Sequence, residues 1–177
     1  ALRAKRRLIL AGNVDDVDRQ YFETEVLPRV DGTDITYVGE ADFTRKCELL
    51  MHARCLLAPI TWHEPFGLFM AEAMACGTPV VAFRMGAAPE VVEDGVTGYI
   101  VETPDEMIDS LSRIDRISPE ACRRRVEKCF SVTRMVDDYL AAYTRILETV
   151  QARPERHRRA MRRPQRHQPV SAVARTT

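Results

Sequence analysis

The chain has 177 residues, with 26 Lys+Arg against 26 Asp+Glu, so its formal net charge at pH 7 is zero. That length suits about one domain with a sizeable core. A composition of 45% hydrophobic and 29% charged residues excludes wholesale disorder. The longest apolar stretch, around Cys55–Ile60, falls far short of the roughly 18 residues of a membrane span. After the basic Ala1–Arg7, the apolar run Leu8–Ala11 is too short for the core of a secretory signal. Five cysteines, at 47, 55, 76, 122 and 129, show no paired or Cys/His metal spacing. They read as free or buried thiols of a reducing cytoplasm.

Strands and helices alternate from Leu8 onward. LILAG (8–12) is a buried-strand signal, and Asp15–Val26 is helical in pattern and stops before Pro28. DITYVG (34–39) is a second strand, Asp42–Ala53 a helix and RCLLAP (54–59) a third strand. Leu68–Ala75 is helical, with Met70, Ala71 and Met74 toward the core; TPVVAF (78–83) and GYIV (98–101) are strands. Thr103-Pro104-Asp105-Glu106 is a capping box opening a helix to about Ser112. Ser118-Pro119 opens another helix. Ser131 opens the last, with an apolar stripe of Met135, Val136, Tyr139, Leu140, Tyr143, Ile146, Leu147 and Val150.

Residues 151–177 hold eight arginines, one acid and three prolines, a charge of +7 that leaves −7 on residues 1–150. This tail has too few large apolar side chains to offset its ordering entropy, and is expected to be disordered. An anionic partner is the alternative, but no aromatic residues interleave the arginines to stack bases. No specific nucleic-acid partner is expected.

Strands that are apolar throughout and alternate with helices indicate an α/β fold, with a Rossmann-like parallel sheet covered on both faces. Ligands in such sheets sit beyond the carboxyl ends of the strands. The candidate loops are therefore Gly12-Asn13, Gly39–Asp42, Pro59–Gly67 and Arg84–Ala88.

The Pro59–Gly67 loop carries the chemistry. Glu64 precedes Pro65, which pushes its backbone into an extended conformation outside the following helix. Gly67 lacks a Cβ and would let a ligand approach the main chain. Free amides at the helix start, with the macrodipole behind them, suit a phosphate oxygen. Glu72 lies about one turn deeper, and its side chain tilts back toward the helix N-terminus. A carboxylate there would repel phosphate but accept hydrogen bonds from vicinal sugar hydroxyls. The bland alternatives are an exposed helix acid for Glu72 and a helix-dipole partner for Glu64.

EPFGLFMAEAMACGTPVVAF (64–83) followed by GAAPEVVEDGVTGYIV (86–101) resembles the signature of glycosyltransferase family 4, retaining enzymes of the GT-B fold that use nucleotide-sugar donors. The family's Glu-x7-Glu motif matches Glu64 and Glu72, and its Phe-Gly-Leu matches Phe66, Gly67 and Leu68. The resemblance implies that Glu64, carried as the catalytic residue, contacts the hydroxyls of the transferred sugar. It places the diphosphate on the amides of 66–68 and the nucleoside ribose on Glu72, and implies that no metal is expected, because helix amides and basic residues stabilise the leaving diphosphate. Gly39, Glu40, Ala41 and Asp42 match the loop that cradles the base, with Lys46 one turn on; Asp42 reads equally as a helix N-cap. Gly86-Ala87 replaces the Gly-Gly of many members. Glu90 matches an acid of the pattern or a cap contact. His63 is a weaker acid/base candidate, His52 reads as a helix-dipole partner, and Trp62 as a stacking or rim residue.

By the same resemblance the chain is the C-terminal, donor-binding half of a GT-B enzyme, truncated at its N-terminus and lacking that domain's first strand and helix. Ala1–Arg7 looks like the end of that helix. The sheet would then lose a strand that is central or nearly so, exposing backbone and apolar surface. The expected partners are a nucleotide-sugar donor and either the missing N-terminal acceptor domain or a second copy through self-association. The alternative function is a non-catalytic remnant that binds a nucleotide or a partner protein.

Overall fold

The computed structural model describes residues 1–161, with side-chain surroundings as far as residue 150. Residues 1–131 form one compact unit and a second begins at Val132. The boundary expected at residue 150 is crossed by a single uninterrupted helix, Val132–Met161. The part of the expected tail from 162 to 177 lies outside the described residues.

In the first unit every strand pairing is parallel. β1 (Leu8–Leu10) pairs with β2 (Ile35–Tyr37), and β3 (Leu56–Ala58), β4 (Val80–Phe83) and β5 (Gly98–Val101) follow in that order in a separate sheet. The Rossmann-like layer is thus present in two pieces. Backbone geometry shows where the break lies. The Leu8 N–H donates to the Asp34 carbonyl at 2.7 Å, and the Leu10 carbonyl accepts from the Val38 N–H at 2.9 Å. The peptide groups of Ile9 therefore point to the opposite edge, because successive residues alternate sides in a parallel ladder. In β3 the Leu56 N–H donates to the Pro79 carbonyl at 2.9 Å, which turns the peptide groups of Leu57 away from β4. The break leaves one edge of β1 and one edge of β3 unpaired.

Helices link the strands. The segment expected as one helix stopping before Pro28 is instead a 3-10 turn at Asp16–Asp18, α1 (Arg19–Tyr21), a π turn at Phe22–Val26 and a 3-10 turn at Leu27–Arg29. Pro28 sits in the first turn of that last piece, where its missing N–H leaves no bond unmade, so the chain stays helical past it. α2 is Phe43–His52, α3 Leu68–Ala75, α4 Ala88–Val91, α5 Pro104–Ser110 and α6 Pro119–Cys129. The caps of α5 and α6 are those the sequence indicates: Thr103 Oγ1 accepts from the Glu106 N–H and Ser118 Oγ from the Ala121 N–H. α3 packs on β3, β4 and α6, and α5 on β4 and β5.

The core is lopsided. Apart from Ile35, every buried hydrophobic residue among those described lies between Ala58 and Cys122. Met70, Met74, Val80, Val81, Val91 and Ile114 are among its largest fully buried side chains, each removing about 1.5–3 kcal/mol worth of side chain from water. Ile9 in β1 stays 52% exposed. In the second unit the helix α7 (Val132–Met161) exposes the stripe expected of it, with Met135, Tyr139, Tyr143 and Leu147 all more than half exposed. Among the described residues no helix is long and apolar enough to cross a membrane. All five thiols are free, and burial pushes those of Cys55 and Cys122 up to about 11.

One acid ties down the approach to β2. Asp31 Oδ1 accepts from the N–H groups of Thr33, Asp34 and Ile35 at 2.8, 2.8 and 3.0 Å. These bonds, the one from Ile35 foremost, lower its pKa from 3.8 to about 2. The stabilisation is present above the ordinary value and is lost as pH falls toward 2. A carboxyl NMR titration is expected to place the Asp31 midpoint near 2. Hydrogen exchange is expected to protect Val80–Phe83 most, with β1 amides exchanging at least about 100-fold faster.

Candidate functional site

Glu64 is held at four points. Its N–H donates to the Trp62 carbonyl at 2.9 Å, and its carbonyl accepts from the Ala87 N–H at 2.9 Å. Oε1 accepts from the Gly67 N–H at 3.1 Å, and Oε2 from the Trp62 indole N–H at 3.2 Å. The main chain of Glu64 also lies against Gly86. A Cβ at Gly86 would stand 2.4 Å from the Glu64 oxygen and 2.5 Å from its nitrogen, and φ there is +54°. Only glycine fits. Gly86 lies in the candidate loop Arg84–Ala88, but its contact with the Glu64 main chain was not foreseen from the sequence. Its signal was its place at the end of β4, beside the loop after β3.

Gly67 begins α3 in the left-handed region, at φ 75° and ψ 63°. Its amide is not free as expected, because the Glu64 carboxylate accepts its N–H. The Glu64 carboxylate thus stands at the start of α3. The Phe66, Leu68 and Phe69 N–H groups find no acceptor among the described residues. The Leu68 side chain is 64% exposed. Phe66 anchors the turn, its ring meeting Phe130 edge-on at 5.5 Å. These open donors stand at the positive end of the α3 dipole.

Glu72 lies one turn into α3, about one-third exposed, and its Oε1 accepts from Lys46 Nζ at 2.6 Å. This ion pair joins α2 to α3 and brings the loop after β2 to the Glu64–Glu72 segment. Asp42 caps α2, its Oδ1 accepting from the Arg45 N–H at 2.8 Å. Gly39, at φ +72°, accepts from the Gly12 N–H at 2.9 Å, which links the loops after β1 and β2. His52 Nδ1 lies 2.8 Å from the Glu48 carbonyl in the last turn of α2. His63 and Glu90 are exposed, and the Glu90 carbonyl accepts from Arg125 Nη2 at 2.7 Å. Among the described residues no three His, Cys, Asp or Glu side chains converge as metal ligands would.

Comparison with known proteins bears on this arrangement. Residues 1–115 match the family model described as glycosyl transferases group 1. The chain belongs to that family. It is 40% identical over 106 residues to the D-inositol 3-phosphate glycosyltransferase of Mycolicibacterium smegmatis, over 57% of this chain and 24% of that enzyme. Among solved structures, AviGT4, a glycosyltransferase involved in avilamycin A biosynthesis, superposes with a TM-score of 0.67 at 28% identity. That match covers 82% of this chain and 45% of AviGT4. A sucrose-phosphate synthase from Thermosynechococcus elongatus gives a TM-score of 0.68 at 27% identity, over 81% of this chain and 39% of that one. The match thus spans less than half the length of each, and the fold is part of a GT-B glycosyltransferase.

The Gly86 contact is open to direct test. Gly86→Ala is expected to lower stability by at least about 2 kcal/mol, since it adds a clash with main chain to left-handed strain. Gly39→Ala, with φ +72° but nothing within 4 Å of the new methyl, is expected to cost only about 1 kcal/mol. Denaturation midpoints for both variants measure the difference.

Proposed function

We propose that the chain is the donor-binding half of a retaining glycosyltransferase and takes a nucleoside-diphosphate sugar. The observation that carries this reading is the fold of Glu64–Glu72. Within family-matched residues, that segment sets two carboxylates on either side of a helix start with open amides. In this reading Phe66 and Leu68 offer their amides to the diphosphate, and Gly67 joins them if Glu64 releases its N–H. Glu72 accepts from the ribose hydroxyls. Gly39 and Asp42 line the base side, and Lys46 stands between base and ribose.

Glu64 is the catalytic residue because it touches the transferred sugar, and its work is to orient that sugar's hydroxyls. The bond from the anomeric carbon to the diphosphate oxygen breaks as an acceptor hydroxyl bonds to the same face. The acceptor's proton leaves with the departing diphosphate. The helix amides stabilise the developing negative charge, and no metal is assigned a part. The acceptor site belongs to an N-terminal half supplied by the rest of the enzyme or by a partner chain. Free thiols suit a reducing cytoplasm as the place of action.

Calorimetric titration with UDP, GDP and ADP tests the assignment. Glu72→Ala is expected to weaken the tightest of these at least about tenfold, the cost of a charge-assisted hydrogen bond. Glu64→Ala is expected to leave that affinity within about threefold and to lower sugar transfer at least about 100-fold when an acceptor half is supplied. Parent-like binding and transfer by both variants would show that the site lies elsewhere.

A further inference from the structure

We infer that Lys46 is a positioning residue that acts through Glu72, rather than a direct contact of the donor. The inference rests on the reading of Glu72 as the ribose acceptor. Glu72 has a difficult task in that reading. It must accept hydroxyl bonds within a turn of amides that hold a dianionic group, where a bare carboxylate is repelled. It also sits on the surface of α3, about one-third exposed, with rotamers that aim its oxygens elsewhere.

Lys46 resolves both difficulties. Its ammonium meets Glu72 Oε1 at 2.6 Å, from a different helix and from 26 residues away in the chain. The pair brings a positive charge to the acid and so lessens its repulsion of a diphosphate. It also ties down one carboxylate oxygen, leaving Oε2 as the acceptor for a sugar hydroxyl. A lysine bound in this way commits its ammonium to Glu72. The pair also couples the position of α2 to that of α3, so the base-side loop and the ribose acceptor keep a fixed spacing.

A double-mutant cycle decides between this role and direct contact. Lys46→Met, Lys46→Arg, Glu72→Ala and the Lys46→Met/Glu72→Ala double variant of the full chain are titrated with UDP, GDP and ADP and with their 2′-deoxy and 3′-deoxy counterparts. Thermal melts confirm that each variant folds. For the tightest ribonucleotide, Lys46→Met is expected to lose about tenfold in affinity. The preference of the parent for the hydroxyl-bearing nucleotide is expected to collapse to under about threefold. Lys46→Arg is expected to keep most of both. Adding Lys46→Met to Glu72→Ala is expected to cost little more, because the lysine then has nothing to orient.

Additive losses would overturn the inference in favour of direct contact with the donor. So would a Lys46→Met variant that binds as the parent does, or one that loses affinity yet keeps full discrimination against the deoxy nucleotides. A Glu72→Ala variant that keeps parent affinity and discrimination would instead sink the ribose assignment itself, and this inference with it.

Discussion

The placement of Glu64 depends on one contact between backbones. Its main chain lies against Gly86 with no room for a methyl group between them, and the Ala87 N–H closes the contact onto the Glu64 carbonyl. Gly86 follows β4 and Glu64 follows β3, and these strands pair in a register that runs from Leu56–Val80 to Ala58–Ala82. The register therefore sets where the two loops meet, and the loops set where the carboxylate stands. A buried core under β3, β4 and β5 holds that register. Sheet pairing, close packing and candidate chemistry are in this sense a single construction.

The two sheet pieces differ in how firmly they are supported. β3, β4 and β5 lie among buried methionines, valines and alanines, whereas the β1 and β2 region contributes Ile35 alone to the buried hydrophobic set among the described residues. A short two-stranded parallel pair gains little from burial and leaves peptide groups on both outer edges outside the ladder. The candidate site spans this divide. Glu64 and Glu72 rest on the well-packed side, while Gly39 and Asp42 belong to the loop after β2. Lys46 is the side chain that bridges them.

Much of this was legible in the sequence because it follows from local chemistry. α3 and β5 occupy the residues their apolar patterns mark, and Thr103 and Ser118 cap as hydroxyls before proline do. Asp42 also acts as a cap, which settles its structural role without excluding a ligand. What the sequence left hidden depends on encounters between distant segments. Nothing local to Lys46 reveals Glu72 as its partner, and nothing local to Gly86 reveals the Glu64 main chain beneath it. The mixed helical path around Pro28 was missed for a different reason. A proline forbids an N–H bond, but a chain that changes pitch can route its bonding around it.

The indole of Trp62 has one more consequence. It is the only tryptophan in the sequence, it is 62% exposed, and its N–H is bonded to the Glu64 carboxylate. The protein thus carries a built-in fluorophore whose hydrogen bond ends on the residue assigned to the sugar. Any molecule that draws the Glu64 carboxylate away changes the polarity at that ring. Emission excited at the indole band then reports the displacement of that carboxylate with no label attached.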